Sequence, residues 1–439
     1  MLKIYEIDQA QETILKRVPL TFTDYPVELV DSVEKLFGDG VTLPQAVSEI
    51  LESVRRDGDN ALRKWSRILD NASFDDFRIP VDWFEQAYND LPSSLREALN
   101  LSAQRIRAFH EMQPLPNWET EVLGGRVGQR VTPVECAGVY VPGGTAPLPS
   151  SLLMSVIPAQ VAGVPQIIVT TPPNPHPIIL AAAFICGIEE VYQLGGAQAI
   201  AAMAFGSESV PRVDTIVGAG NIFVTLAKQQ VFGVVGLDGL FGPTETMVIA
   251  DETANPTWVA ADLLAQAEHD VLASAILLTP SRKIAEMVQI EVSRQLENLS
   301  RTAILSHSLQ NSSGIVVVPN LDKAAEIAND YAAEHLCLSV AEPRVLMSKI
   351  NNAGGFFLGD HSFEVLGDYV AGPSHIMPTS QTARFNSPLN VLDFVKISSV
   401  VELDPKIGAK LSIHAAEIAR AETLTAHAAA ARFRSEVSE

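Results

Sequence analysis

At 439 residues the chain is too long for one compact core, so two or more domains are expected. Apolar residues make up 47 % of it and charged residues 19 %, which excludes a disordered chain and fits a globular enzyme. The net charge of −21 repels phosphate backbones and anionic lipid, which argues against nucleic-acid and membrane-surface partners.

Up to about residue 130 the chain reads mainly as helices, for example 43–56 and 93–110, joined by polar turns. From residue 137 short β-rich runs alternate with alanine-rich helices. Strands are expected at 138–141, 167–170, 191–194 and 215–217, with helices opening at 149–151 and running at 178–186, from 197 and from 221. A second array begins at Thr246, with strands at 247–250, 275–278, 315–318 and 335–340 and helices from 255, 281, 321 and 342. Asn255-Pro256 reads as an N-cap before a proline at the first helical position, and Ser281 as another cap. Past Asp404 the chain reads as helices. Such alternation means βαβ units, hence an α/β fold of two Rossmann-like parallel-sheet domains with helical N- and C-terminal extensions, and a cleft between the halves.

Cys136, Cys186 and Cys337 are too few and too scattered for a disulfide framework or a cysteine-based zinc site, which fits a reducing cytosol. The stretch MLKIYEIDQAQETILKR lacks the apolar core of a secretory signal, and the richest apolar run, 177–187, is too short to span a bilayer. A soluble cytoplasmic protein is expected.

No G-x-G-x-x-G fingerprint follows a strand. Gly143-Gly144, Gly195-Gly196 and Gly218-Ala219-Gly220-Asn221 do fall at strand-to-helix turns, where bare backbone and a helix N-terminus can face a phosphate. Turn geometry alone is the commoner reason for such glycines, so a nucleotide is permitted rather than shown. Gln266 and His269, three apart on a helix, share a face that suits either one ion or solvent. Asp368 and His375 lie in a glycine-interrupted polar loop, open to a ligand role or a self-satisfied turn. Glu334-His335 has the chemistry of proton transfer, but neighbours on a strand face opposite ways, so both reach one substrate only where the strand begins irregularly.

In order, the segments VYVPGG, LGGAQAIAAMAFG, GNIFVTLAK, DLLAQAEHD, AAEHL, GDYVAGPSHIMPT and AETLTAH resemble histidinol dehydrogenases across about 300 residues, from Gly138 to His427. The resemblance implies zinc- and NAD-dependent oxidation of L-histidinol to L-histidine through histidinal, with two NAD used in succession. It implies Gln266, His269, Asp368 and His427 as zinc ligands, the last from the partner subunit of a homodimer with shared sites. It implies Glu334 and His335 as the catalytic pair. Thr244, His375 and Glu422 are the implied further substrate contacts, and Tyr140, Gln198 and Asn221 the implied dinucleotide contacts.

The implied division is an N-terminal helical extension at 1–32 and a first Rossmann-like domain at 33–137 and 244–388, carrying metal and catalytic residues. A second Rossmann-like domain at 138–243 holds the NAD contacts, and a C-terminal helical segment at 389–439 reaches the partner. Three positions depart from the family pattern: Thr244 stands where serine is usual, Ala219 replaces a common proline, and Leu148 replaces an aromatic residue. The rival is a paralogue with the same machinery acting on another polar alcohol, such as a sulfonated diol. A cysteine-nucleophile aldehyde dehydrogenase is a further alternative, although no cysteine has a setting that would activate its thiol. Glu422 and His427 are five apart, about 140° around an ideal helix, so serving one site requires a break with a new helix starting at about Thr425.

Overall fold

The computed structural model describes residues 2–17, 25–143 and 146–435, so Gly144 of the first glycine turn lies outside the described residues. In chain order its strands are β1 (Ile4–Glu6), β2 (Trp118–Thr120), β3 (Gly125–Pro133), β4 (Cys136–Tyr140), β5 (Gln166–Thr171), β6 (Val191–Gln193) and β7 (Thr215–Val217). They continue as β8 (Gly236–Leu237), β9 (Glu245–Ala250), β10 (Ser274–Thr279), β11 (Gly314–Val317), β12 (His335–Ser339), β13 (Gly355–Leu358) and β14 (Val395–Leu403).

Two sheets are wholly parallel. One has the order β6-β5-β4-β7-β8, the other β1-β11-β10-β9-β12-β13. With β1 set aside, each runs third-second-first-fourth-fifth in its own strand sequence, the doubly wound pattern, reversing direction beside its first strand. Strands β9 and β10 are buried along their whole length, as strands covered by helices on both faces must be, and they carry the apolar runs Met247–Ala250 and Ala275–Leu278. The expected cap forms: the Asn255 side chain accepts from the Thr257 N–H at 3.0 Å, ahead of helix Pro256–Ala267.

The structure differs from the sequence reading in three places. Residues 2–17 are not only helical, because β1 pairs in parallel with β11, from Ile4↔Ile315 to Glu6↔Val317, before the helix Ile7–Glu12. Three residues are too few to show a hydrophobic period. Helices Leu43–Asp57 and Asp59–Asp70 bury Val47, Ile50, Leu62 and Trp65 in one core with Ile168, Ile200 and Ile216 of the five-stranded sheet and its helices. Their apolar faces therefore complete the 136–237 core, not the 245–358 core with which 33–137 was grouped.

The third difference is a separate compact unit of residues 113–134 and 395–435, where helix or coil was expected before Asp404. Here β14 lies antiparallel to β3, from Val395↔Pro133 to Leu403↔Gly125, and β3 also pairs with β2. Helices Pro405–Ala421 and Thr425–Ser435 complete it. The expected break is present. Thr423 adopts a left-handed φ of 61°, and the Leu424 N–H turns back to the Ala419 carbonyl at 2.8 Å. Thr425 is the first residue of the new helix. Among the described residues no helix is long and apolar enough to cross a membrane.

Candidate active site

Two opposed sheet edges line one cavity of about 160 Å³. From the carboxyl edge of the five-stranded sheet come Ser150 and Ser151, opening the helix Pro149–Ala162, and Ala219, just past β7. From the amino edge of the six-stranded sheet come Thr244 ahead of β9, Gln266 at the end of helix Pro256–Ala267, and Glu334 and His335 where β12 begins. Asp368, near the end of helix Glu364–Tyr369, and His375, in the loop beyond, close it. His269 lies exposed among the lining residues, two positions past its helix.

Glu334 and His335 both face this cavity because β12 starts at His335. Ala332, in left-handed conformation at φ 52°, ends the preceding helix and turns the chain, so Glu334 is free of the strand's alternation. Gly354 makes the turn possible, since a Cβ there would meet the Glu334 carbonyl oxygen at 2.5 Å. The Glu334 carboxylate Oε2 accepts from the Thr244 hydroxyl at 2.7 Å and from the Glu245 N–H at 3.0 Å. Burial nevertheless holds its pKa well above the ordinary range, with these two donors opposing the shift.

His335 is 3 % exposed, and neither ring nitrogen has a hydrogen-bond partner. Its Nδ1 stands 3.6 Å from Glu334 Oε2 and its Nε2 3.8 Å from Asp368 Oδ1, both too long for a bond. Burial, with His375 adding to it, pushes its pKa down to about 3, so the ring is neutral. Two orphaned nitrogens on a buried imidazole mark a place where a ligand belongs.

Asp368 is raised to about 6 by burial, against the pull of the Gln266 amide, which donates to its Oδ2 at 3.1 Å. His375 Nδ1 lies 3.0 Å from the Asp368 backbone oxygen and Nε2 lies 3.1 Å from Ser151 Oγ. With burial lowering its pKa to about 4, it is neutral, donating through Nδ1 and accepting through Nε2. Beneath the cavity Glu364 is fully buried, bonding to the Thr246 hydroxyl and taking the Cys337 thiol at 3.2 Å. It ties the helix that carries Asp368 to β9 and β12.

Seven of the residues expected at the site are thus gathered: Thr244, Gln266, His269, Glu334, His335, Asp368 and His375. Leu148, Ala219 and Thr244, the three departures from the family pattern, all line the same cavity. Glu422 and His427 belong to the other compact unit, on either side of its helix break, and both are exposed. Tyr140, Gln198 and Asn221 do not line the cavity but stand along the carboxyl edge of the five-stranded sheet, after or at the ends of β4, β6 and β7. The Tyr140 hydroxyl accepts from the Gly196 N–H at 3.2 Å, Gln198 donates to Asp70 at 2.9 Å, and Asn221 caps the helix Ile222–Val231. Ser151, Phe241, Tyr369 and Met377 line the cavity without having been expected. Ser151 left a trace in the helix opening at 149–151, and Tyr369 and Met377 lie within the segment GDYVAGPSHIMPT.

Gln266, His269 and Asp368 offer one chain's oxygen and nitrogen donors to a metal, a set suited to a borderline ion such as zinc but short of four. Among the described residues no group of three or more His, Cys, Asp or Glu side chains stands close enough to hold one. All three cysteines are buried, and burial raises their thiols, Cys136 to about 11 and Cys186 to about 12, which removes the nucleophile an aldehyde dehydrogenase would need.

A family model described as histidinol dehydrogenase matches residues 38–435. The histidinol dehydrogenase of Nitrosospira multiformis is 44 % identical over 427 residues, covering 96 % of this chain and 97 % of that protein. That of Thermus thermophilus is 49 % identical over 387 residues, covering 88 % and 93 %. The crystal structure of histidinol dehydrogenase from Elizabethkingia anophelis superposes with a TM-score of 0.89 at 34 % identity, covering 99 % of this chain and 98 % of that one.

Proposed function

The chain belongs to the histidinol dehydrogenase family, and from that premise we propose that it oxidises L-histidinol to L-histidine through histidinal, using zinc and two NAD. It is an oxidoreductase of histidine biosynthesis. The observation that carries the detailed reading is the neutral, partnerless imidazole of His335 between two carboxyl groups in one cavity.

Zinc held by Gln266, His269 and Asp368, with His427 of a second copy, would supply a charge that positions the substrate, and NAD would supply the hydride acceptor. His335, neutral and unbonded, accepts the hydroxyl proton of the alcohol. Glu334, in its carboxylate form and made more basic by burial, removes a proton from the water that adds to the aldehyde. Thr244 holds Glu334 in place by its hydroxyl, and Ser151 fixes the His375 ring for contact with substrate. Glu422 of the second copy faces the substrate ring, while Tyr140, Gln198 and Asn221 attend the dinucleotide at the edge where doubly wound sheets bind such ligands.

A shared site requires a homodimer. It is supported by the second unit's apolar exposure, with Val122 at 90 %, Val401 at 68 %, Ile418 at 62 % and Phe433 at 69 % exposed. Three free cysteines suit a cytoplasmic location. The deciding experiment counts NADH formed per L-histidinol by purified enzyme. Two per substrate, with no free aldehyde, is expected; one per substrate, or oxidation only of another polar alcohol such as a sulfonated diol, overturns the reading.

A further inference from the structure

Behind the turn Gly218-Ala219-Gly220-Asn221 lies an ion pair that the chemistry above does not use. Lys228 is 1 % and Asp238 8 % exposed, and Lys228 Nζ donates to Asp238 Oδ1 at 2.6 Å. Both partners also grip Gly218. Its N–H donates to Asp238 Oδ2 at 2.7 Å, and its carbonyl accepts from Lys228 Nζ at 2.8 Å. Gly218 sits at φ 109°, and a Cβ there would meet the Tyr140 carbonyl oxygen at 2.2 Å, so it is packed against the end of β4 where the sheet reverses direction. Lys228 also lies 4.8 Å over the ring of Phe241, which lines the cavity.

A buried ion pair is a poor device for stability, because apolar residues of equal volume serve as well or better. What this pair does fix is direction. In a trans peptide the carbonyl and the following N–H point opposite ways. The Gly218 carbonyl is drawn inward to Lys228, so the Ala219 N–H points away from Lys228, and Ala219 itself lines the cavity. Among the described residues that N–H has no protein acceptor. Both bonds to Gly218 oppose a flip of this peptide, which would present a carbonyl oxygen in place of a donor.

We propose that Lys228 and Asp238 are positioning residues for the dinucleotide, locking the 218–219 peptide so that the Ala219 N–H donates to an oxygen of bound NAD. This rests on the NAD reading above. The test uses full-length enzyme, with NADH affinity by fluorescence titration, KM for NAD and for L-histidinol, and thermal melting. Lys228→Met keeps the volume and removes the lock. It is expected to weaken NADH binding and raise the NAD KM about ten- to hundredfold, the worth of a hydrogen bond to a charged group, while the histidinol KM holds.

Asp238→Asn keeps an acceptor for the Gly218 N–H in the same shape. It should give a smaller loss in the same direction, and it serves should Lys228→Met not fold. Unchanged NAD parameters in a folded variant overturn the inference. So does a fall in melting temperature with equal loss of both KM values, which is the mark of a merely structural pair. Wild-type enzyme that binds no NADH refutes the NAD reading and the inference with it, whereas wild-type binding with unaltered variants refutes the inference alone.

Discussion

Arg17→Met should destabilise the protein in a way that depends on pH. Arg17 Nη2 contacts both carboxylate oxygens of Glu245, at 2.6 and 2.8 Å, and its guanidinium lies 4.0 Å over the Tyr331 ring. The two side chains are 15 % and 8 % exposed, so the pair counts as buried, and removing one partner of such a pair costs about 3–5 kcal/mol when the other stays charged. Burial already raises the Glu245 pKa, and Arg17 is the chief influence pulling it back, so the substitution raises it further. An acid with a folded pKa above its unfolded one takes up a proton on folding, and its native state loses stability as pH rises through that interval. The penalty should therefore be small at about pH 5, where Glu245 protonates cheaply, and approach the full value at about pH 8.

Urea unfolding of wild type and variant at both pH values measures this. Adding Glu245→Gln to Arg17→Met removes the stranded charge and should recover most of the loss at high pH. Because the Glu245 N–H also holds Glu334, turnover should fall in the single variant and return in the double one. A penalty of equal size at both pH values, or a double variant no more stable than the single, refutes the reasoning.

Glu334→Gln should spare the first hydride transfer more than the second, since only the second oxidation needs an activated water; equal loss in single-turnover traces counts against this division. Ser151→Ala removes the hydroxyl beside His375 Nε2 and should raise the histidinol KM about fivefold to tenfold at little cost to folding; an unchanged KM would detach His375 from substrate binding. Mixing Glu334→Gln and His427→Ala subunits should restore the complete two-step oxidation at about a quarter of the sites, because in each mixed dimer one site collects both lesions and the other neither. No recovery after subunit exchange would remove the shared site.

Long periodic elements were legible from residues alone. Strands such as β9 and β10, buried on both faces, read as apolar runs, and Asn255-Pro256 marked its helix start. Elements that owe their existence to distant partners were not. In β1, three residues become a strand only because β11 offers a free edge. In β14, exposed Lys396, Ser398 and Ser399 obscure any period, and β3 supplies the pairing from some 270 residues away. The same holds for the site. Glu334 and His335 looked unable to act together until the left-handed Ala332 and the late start of β12 placed both in one cavity. Ser151 and Glu364 touch the site through folding alone, one across 224 residues to His375 and the other across 118 to Thr246.

The meeting of a carboxyl edge with an amino edge has an electrical consequence. Helices that follow parallel strands start at the carboxyl edge and finish at the amino edge, so the cavity receives a helix start from one sheet and helix ends from the other. Helix Pro149–Ala162 brings its N-terminus, with the positive end of its dipole, through Ser150 and Ser151. Helix Pro256–Ala267 brings its C-terminus, with the negative end, at Gln266. One wall thus favours anions and the other cations. A pyrophosphate-bearing guest and a cationic one are drawn to opposite sides by backbone alone, and a substitution of any side chain on either wall leaves that sorting field in place.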